Sequence, residues 1–186
     1  MDIEPFSFDV DSLSGRGSRG DGVHVSELIH FLDHKLHNTG EPQHWDHAAL
    51  VGFMFEDSMR IALRDQVVRQ RSNIIVPGEL EQDGILLTPD GFDTVAYELW
   101  EFKATWRSCE KWPPESRWTW LVQSQAYCHV MGLDVANFGV LYLNGDYRPM
   151  QPRLVGTRFR FTPEELEANW RMILGSKDYY LRERQT

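Results

Sequence analysis

The chain has few cysteines. Only 2 occur among its 186 residues, and they are Cys109 and Cys128. Two thiols cannot build a disulfide framework, a four-cysteine zinc site or a four-cysteine iron–sulfur site. We therefore interpret both cysteines as free thiols of a protein in a reducing compartment.

Long apolar runs and an excess of positive charge are also missing. No stretch approaches the roughly 18 apolar residues of a membrane span, and the acidic start of the chain shows no signal peptide. The net charge of -9 argues against a polybasic nucleic-acid binder or a membrane-surface protein. This net charge remains compatible with an enzyme that reaches DNA through metal ions and a local basic surface. We expect a cytoplasmic protein with no membrane partner.

The composition is that of a globular protein, with 41% hydrophobic and 25% charged residues. A chain of this length favours one domain. The segment SLSGRGSRGDG at 12–22 is rich in glycine and serine, which is typical of a flexible arm. We therefore predict a flexible N-terminal arm at 1–22 and a single domain at 23–186.

Periodicity predicts a mixed α/β fold in which helices cover a small sheet. The first predicted helix has Ser26 as its N-cap, and the last has Thr162 as its N-cap with a capping-box glutamate. The other predicted elements are helices from about Asp46 to Arg71 and from Glu115 to Gly132, a strand at 73–77, a hairpin at 83–103 that turns at PDGFD, and strands ANFGVLYLN and LVGTRFRF.

The strand segment Glu101-Phe102-Lys103 is the sharpest chemical feature. Alternation puts Glu101 and Lys103 on one face, which by itself is ordinarily a plain ion pair. However, Asp83 opens the other strand of the predicted hairpin, so that pairing across the turn brings it close to Glu101. Two neighbouring carboxylates repel each other unless a cation lies between them, and such hard ligands suit Mg²⁺ or Mn²⁺. A lysine beside them suits phosphate chemistry, since its ammonium can orient water and neutralise a phosphoryl oxygen.

Two helical patterns accompany this segment. Gly52-x-x-x-Glu56 lies on the long helix and Gln123-x-x-x-Tyr127 on the helix after the strand, each pair on one helix face. Either spacing alone occurs by chance in many helices. The four motifs in this order are a much more specific signal.

Taken together, Gly52-xxx-Glu56, Asp83-Gly84-Ile85, Glu101-Phe102-Lys103 and Gln123-xxx-Tyr127 resemble the PD-(D/E)XK nuclease superfamily. The trailing Q-xxx-Y is similar to the RecB-like branch, which includes phage recombination exonucleases and CRISPR-associated adaptation nucleases. The resemblance implies a restriction-endonuclease-like αβββαβ core. Glutamate at position 56 is similar to the phage exonuclease variant. The cysteine count implies a form without an iron–sulfur cluster.

The resemblance also implies roles for individual residues. Asp83, Glu101 and the Phe102 carbonyl would bind the metal ion, which would be Mg²⁺ or Mn²⁺. Lys103 would position or activate the attacking water. A further metal or water contact would come from Glu56, and the substrate strand would be held, or the site braced, by Gln123 and Tyr127.

The Trp-rich connection at 105–120 is a candidate substrate-binding segment. Its aromatic rings could stack on nucleotide bases while its cations hold phosphates. The residues assigned to this role are Trp106, Arg107, Lys111 and Trp112. A tryptophan-anchored loop packed on the core is an equally good interpretation.

Two other features suggest competing sites. His30, His34 and His37 lie at helical spacing and suggest zinc, but they lack a further ligand, so a solvated or interface face is favoured. Glu98 could replace Glu101, but it has the opposite strand parity from Lys103.

The sequence thus favours a Mg²⁺- or Mn²⁺-dependent deoxyribonuclease, an exonuclease acting from DNA ends in recombination, repair or phage DNA processing. The alternatives are a weakly active or inactive protein that binds DNA ends or a partner, and a sequence-specific endonuclease. The expected partners are DNA, further copies of the chain, and a recombination or single-strand-binding protein. A phage-encoded chain would act in the bacterial cytoplasm.

Overall fold

The computed structural model describes residues 22–37, 47–146 and 151–184, with the backbone alone described for 47–57. Apart from Gly22, the arm predicted at 1–22 lies outside these residues. The described helices are α1 (Val25–His37), α2 (His47–Gln70), α3 (Trp118–Met131) and α4 (Pro163–Glu183), with a short 3₁₀ turn at Pro114–Ser116. The described strands are β1 (Val23–His24), β2 (Ile74–Ile75), β3 (Leu80–Gln82), β4 (Ile85–Leu87), β5 (Gly91–Asp93), β6 (Glu98–Thr105), β7 (Val135–Tyr142) and β8 (Arg153–Arg160).

Within the described residues, the strands form two sheets. The larger has the order β2-β5-β6-β7-β8, and the smaller has the order β1-β4-β3. In the larger sheet β6 and β7 are parallel, whereas the other neighbours are antiparallel. A parallel pair needs a crossover connection, and α3 provides it between β6 and β7.

Helices cover both faces of β6. Phe102 points to the α2 side, where the ring and Leu63 line the same cavity. Lys103 points to the opposite side and contacts Gln123 of α3. Leu99 is fully buried in the core cluster that α1, α3 and α4 share with the sheet. The predicted mixed α/β fold with helices around a small sheet is confirmed.

The structure confirms two of the three predicted helix-end signals. Thr162 accepts a hydrogen bond from the Glu165 N–H, and the Glu165 side chain accepts one from the Thr162 N–H, as in a capping box. Gly132 ends α3 in the left-handed conformation. The prediction of Ser26 as an N-cap is wrong, because α1 already begins at Val25.

The hairpin predicted at 83–103 is also wrong. The chain forms two hairpins there, with β3 paired to β4 and β5 paired to β6. Asp83 and Gly84 have φ of 53° and 68° and form the first turn. The Asp-Gly dipeptide is a hairpin-turn signal, and it occurs both here and at Asp90-Gly91. The sequence analysis predicts the turn at the second occurrence, whereas the structure forms the first turn at Asp83-Gly84.

The turn of the second hairpin is held by a buried carboxylate. Asp93 is 6% exposed and accepts hydrogen bonds from the N–H groups of Val95 and Ala96 at 2.9 and 2.8 Å. The Asn73 side chain donates a third at 2.6 Å. Burial acts to raise the pKa of Asp93, but these hydrogen bonds and the charge of Arg71 outweigh it and lower the pKa from its ordinary value.

We expect Asp93→Ala to reduce the free energy of unfolding by about 2 kcal/mol at neutral pH, since hydrogen bonds to a charged group are lost. Because the folded-state pKa is the lower one, the stabilisation is present above the unfolded-state pKa and disappears as the pH falls through the folded-state value. Urea unfolding at pH 7 and pH 2 measures both effects. The exposed Asp178→Ala is the control. A difference from wild type that is equally large at both pH values would contradict this role.

Candidate active site

Strand β6 places a carboxylate and an ammonium side by side. Lys103 Nζ lies 2.9 Å from Glu101 Oε2. The two residues are opposite Phe138 and Val140 of the parallel strand β7. Glu101 is 1% exposed, so this carboxylate is held inside the protein beside the apolar core. The common face of Glu101 and Lys103 is the one that strand alternation predicts.

The second carboxylate at this position belongs to Asp90. The residue directly precedes β5, whose Gly91 is opposite Trp100 of β6. Asp90 Oδ2 accepts a hydrogen bond of 3.0 Å from the Phe102 N–H, and the Asp90 N–H donates one of 3.4 Å to Glu101 Oε1. Asp90 is 7% exposed. Two buried carboxylates therefore share one end of the β5–β6 pair.

Asp83 does not take part in this arrangement. It lies in the turn between β3 and β4, where its Oδ2 accepts a 3.0 Å hydrogen bond from Trp170 Nε1 of α4. Its carbonyl accepts another at 2.6 Å from Lys177 Nζ. The predicted pairing of Asp83 with Glu101 is wrong, because the two residues belong to different hairpins in different sheets. The signal that identifies Asp90 is the dipeptide Pro89-Asp90, which matches the first two letters of the PD-(D/E)XK pattern.

The two carboxylates influence each other and lie close to positively charged side chains. Burial raises the pKa of Glu101 to about 7; the charge of Lys103 acts to lower it and that of Asp90 to raise it. A second cation, Arg60 of α2, forms an ion pair with Asp90. Each carboxylate thus contacts a cationic side chain.

Helix α3 adds a polar chain to the lysine. Lys103 Nζ donates a 3.0 Å hydrogen bond to Gln123 Oε1, and Gln123 Nε2 donates one of 2.8 Å to the Tyr127 hydroxyl. Burial first, and then the charges of Glu101 and Asp90, raise the pKa of Tyr127 well above its ordinary value. Tyr127 is therefore a neutral phenol that fixes the orientation of the Gln123 amide. The structure brings together Glu101, Lys103, Gln123 and Tyr127.

The carboxylate oxygens of Asp90 and Glu101 suit a hard divalent cation. Mg²⁺ in proteins is commonly held by one or two carboxylates and keeps several waters. Asp90 and Glu101 supply two carboxylates with a mutual repulsion that a cation would relieve. Among the residues whose side chains are described, no group of three or more histidine, cysteine or acidic side chains could hold a metal ion. The side chain of Glu56 lies outside the described residues, so its predicted contact stays a prediction.

The Trp-rich connection is tethered beside the end of the β6–β7 pair. The Cys109 N–H donates to the Gly145 carbonyl at 3.0 Å, and the Tyr142 hydroxyl donates to the Trp112 carbonyl at 2.9 Å. Trp106 and Trp112 are 41% and 39% exposed. These two rings therefore reach solvent and are not core anchors, in contrast to Trp118 and Trp120, which pack against the core.

Arginines stack on the tryptophans of this connection. The guanidinium of Arg107 lies 4.4 Å from the centre of the Trp112 ring, and that of Arg117 lies 5.3 Å from the same ring. Arg117 is also 5.3 Å from Trp120. We call these four residues the Arg–Trp ladder. Stacking uses the face of a guanidinium and does not occupy the N–H groups at its edge.

Residues of the two competing sites that the sequence suggests form other interactions in the structure. His37 is 2.7 Å from Asp33, and no zinc-type cluster exists among the described side chains. Glu98 forms an ion pair with Arg158 and accepts a 2.7 Å hydrogen bond from Asn137. Cys109 and Cys128 are free thiols.

Solved structures share this architecture. A phage-related exonuclease from Haemophilus somnus 129PT matches with a TM-score of 0.54 and 13% identity, over 87% of this chain and 83% of that one. The chain has the fold of this phage-related exonuclease. The protein SSO0001 matches with a TM-score of 0.56 and 11% identity, over 91% of this chain and 82% of that one.

An alkaline exonuclease from Laribacter hongkongensis is more distant, with a TM-score of 0.47 and 15% identity over 88% of this chain and 93% of that one. No family model and no curated protein matches the sequence. In the part of the chain that the structure describes, no helix is long and apolar enough to cross a membrane.

Proposed function

We propose that the protein is a metal-dependent deoxyribonuclease that removes nucleotides from DNA ends. The observation that carries this proposal is the convergence of Asp90, Glu101 and Lys103 at one buried position of a nuclease-type sheet. Two carboxylates and one lysine provide the groups that metal-assisted phosphodiester hydrolysis requires.

Asp90 and Glu101 would hold the Mg²⁺ or Mn²⁺ ion, with the Phe102 carbonyl as a further oxygen donor. The ion, when bound, would polarise the scissile phosphate and lower the pKa of a bound water. The side chains of the protein would contribute by positioning the reacting groups. Lys103, held between Glu101 and Gln123, would orient the attacking water and offset charge on a phosphoryl oxygen.

Glu56 would add a metal or water contact from α2. Gln123 and Tyr127 would act on the substrate through Lys103, because the amide of Gln123 links the phenol of Tyr127 to the ammonium. Their role is therefore to position the lysine, and removal of either would lower the rate less than removal of Lys103 itself.

The Arg–Trp ladder would bind the DNA strand as it leaves the active site. Phosphates would contact the N–H groups at the edge of the exposed Arg107, and Lys111 would add a second positive charge. Trp106, exposed at 41%, would stack on a base. Trp112 already lies against two guanidinium groups, so its contribution would be to hold the arginines in place.

Two substitutions separate these roles. We expect Trp106→Ala to weaken single-stranded DNA binding by ~1–3 kcal/mol with no change in its salt dependence, since stacking releases no counterions. Trp112→Ala would weaken binding and also flatten the salt dependence, because arginine–phosphate contacts are lost with it. Fluorescence anisotropy in EDTA at several salt concentrations measures both quantities. An unchanged salt slope for Trp112→Ala would contradict the ladder's role.

The experiment that tests the function uses end-labelled linear DNA, single- and double-stranded, and covalently closed circles. We expect degradation of linear DNA in Mg²⁺ or Mn²⁺, none in EDTA, and no attack on circles. Cutting of circles would instead indicate the endonuclease. Tight DNA binding without cleavage in either metal would indicate the end-binding protein. Self-association and a recombination or single-strand-binding partner stay predictions.

A further inference from the structure

Arg60 connects helix α2 to the candidate metal site. Its Nη1 forms an ion pair with Asp90 Oδ1, while the Phe102 N–H binds the other oxygen of the same carboxylate. The Arg60 side chain is 26% exposed and that of Asp90 is 8% exposed. The guanidinium thus contacts a buried carboxylate and still has access to solvent.

Each of the two buried carboxylates has a cation beside it among the side chains that the structure describes. Arg60 faces Asp90, and Lys103 faces Glu101. A divalent ion bound between the carboxylates would add two positive charges and would repel the guanidinium that already contacts Asp90. A doubly charged ion and Arg60 therefore compete for the charge of one carboxylate.

We propose that Arg60 exchanges Asp90 for a DNA phosphate when the divalent ion binds. Without metal, it is the counter-ion that neutralises Asp90. With metal, its guanidinium binds a phosphate oxygen of the substrate, for which its planar pair of N–H donors is well shaped. The inference rests on the proposed function, because it requires a metal between Asp90 and Glu101 and a nucleic-acid substrate.

This exchange predicts opposite effects on two affinities. Arg60→Met removes the competing charge but keeps an unbranched side chain of similar reach. We expect its affinity for Mn²⁺, measured by electron paramagnetic resonance without DNA, to rise about tenfold. Its affinity for DNA in Ca²⁺ would fall about tenfold, because a phosphate contact is lost. Loss of a purely structural residue would lower both affinities together.

The helix supplies a matched control. Arg64 lies on α2 with a 25% exposed side chain and pairs with its neighbour Asp65 at 2.9 Å. Arg64→Met removes the same charge at nearly the same exposure and should leave Mn²⁺ affinity within twofold of wild type. Arg60→Lys retains a positive charge, so it should keep Mn²⁺ affinity near the wild-type value even if Arg60→Met folds poorly.

The outcomes separate this inference from the proposed function. If wild type binds Mn²⁺ and DNA, but Arg60→Met weakens both affinities or leaves Mn²⁺ affinity unchanged, the exchange is refuted and the nuclease proposal stands. A rise in Mn²⁺ affinity for Arg60→Lys as large as that expected for Arg60→Met would also refute it. If wild type binds no Mn²⁺, both proposals fail.

Discussion

Asp90→Asn is expected to lower the rate of DNA cleavage by two to three orders of magnitude. The substitution preserves the size of the side chain and removes one negative ligand of the proposed metal ion. A preorganised electrostatic contribution of this kind typically amounts to ~3–4 kcal/mol of the barrier. Initial rates on end-labelled linear DNA in saturating Mg²⁺ measure the effect.

Asp83→Asn is the matched control for this experiment. It is the same chemical change at the aspartate in the β3–β4 turn, where the carboxylate binds Trp170. We expect cleavage per folded molecule within a few-fold of wild type, with a modest loss of thermal stability. The reverse pattern, with an inactive Asp83→Asn and an active Asp90→Asn, would overturn the placement of the site.

Lys103→Met is expected to abolish cleavage and to retain metal binding. The methionine keeps the apolar stem and removes the ammonium that lies between Glu101 and Gln123. Asp90 and Glu101 remain, so the variant should bind DNA in Mg²⁺ as a stable, uncleaved complex. We expect a rate at least a hundredfold below wild type, corresponding to ~2.7 kcal/mol or more.

A gel-shift assay in Mg²⁺, run beside the cleavage assay, measures both consequences of Lys103→Met. The control is Lys35→Met, which removes a lysine that pairs with Glu183 outside the active site. Cleavage by Lys103→Met at a rate near wild type would contradict the role of the lysine. Failure to bind DNA in Mg²⁺ would show that the lysine acts in binding and not in the chemical step.

Local signals in the sequence predict much of the fold. The capping box at Thr162 and the glycine at 132 mark helix ends through contacts within a few residues, and both are found in the structure. Strand alternation at Glu101 and Lys103 likewise needs no long-range information. These features follow from backbone geometry, which a short stretch of sequence determines.

The wrong prediction that Asp83 lies beside Glu101 also has a local cause. Two Asp-Gly dipeptides lie close together, and each is able to form a hairpin turn. Only the pairing of β4 with both β3 and β1 decides between them, and β1 comes from a distant part of the chain. Once the turn is placed at Asp83-Gly84, the carboxylate beside Glu101 has to come from Asp90.

Contacts between distant elements could not be predicted from the pattern. Arg60 belongs to none of the sequence motifs, and only the packing of α2 against the sheet brings it to Asp90. The Arg–Trp ladder similarly depends on how the connection folds back beside the end of β7. Sequence composition indicated a basic aromatic segment there, but the stacking order is a property of the tertiary structure.

The most direct test of the account is Mn²⁺ binding to three variants in the absence of DNA. Electron paramagnetic resonance measures the free ion as Mn²⁺ is added to wild type, Asp90→Asn, Glu101→Gln and Asp83→Asn. We predict that wild type and Asp83→Asn bind Mn²⁺ with similar affinity, and that Asp90→Asn and Glu101→Gln each lose at least tenfold. Undiminished Mn²⁺ affinity in both Asp90→Asn and Glu101→Gln would contradict a metal site between these two carboxylates.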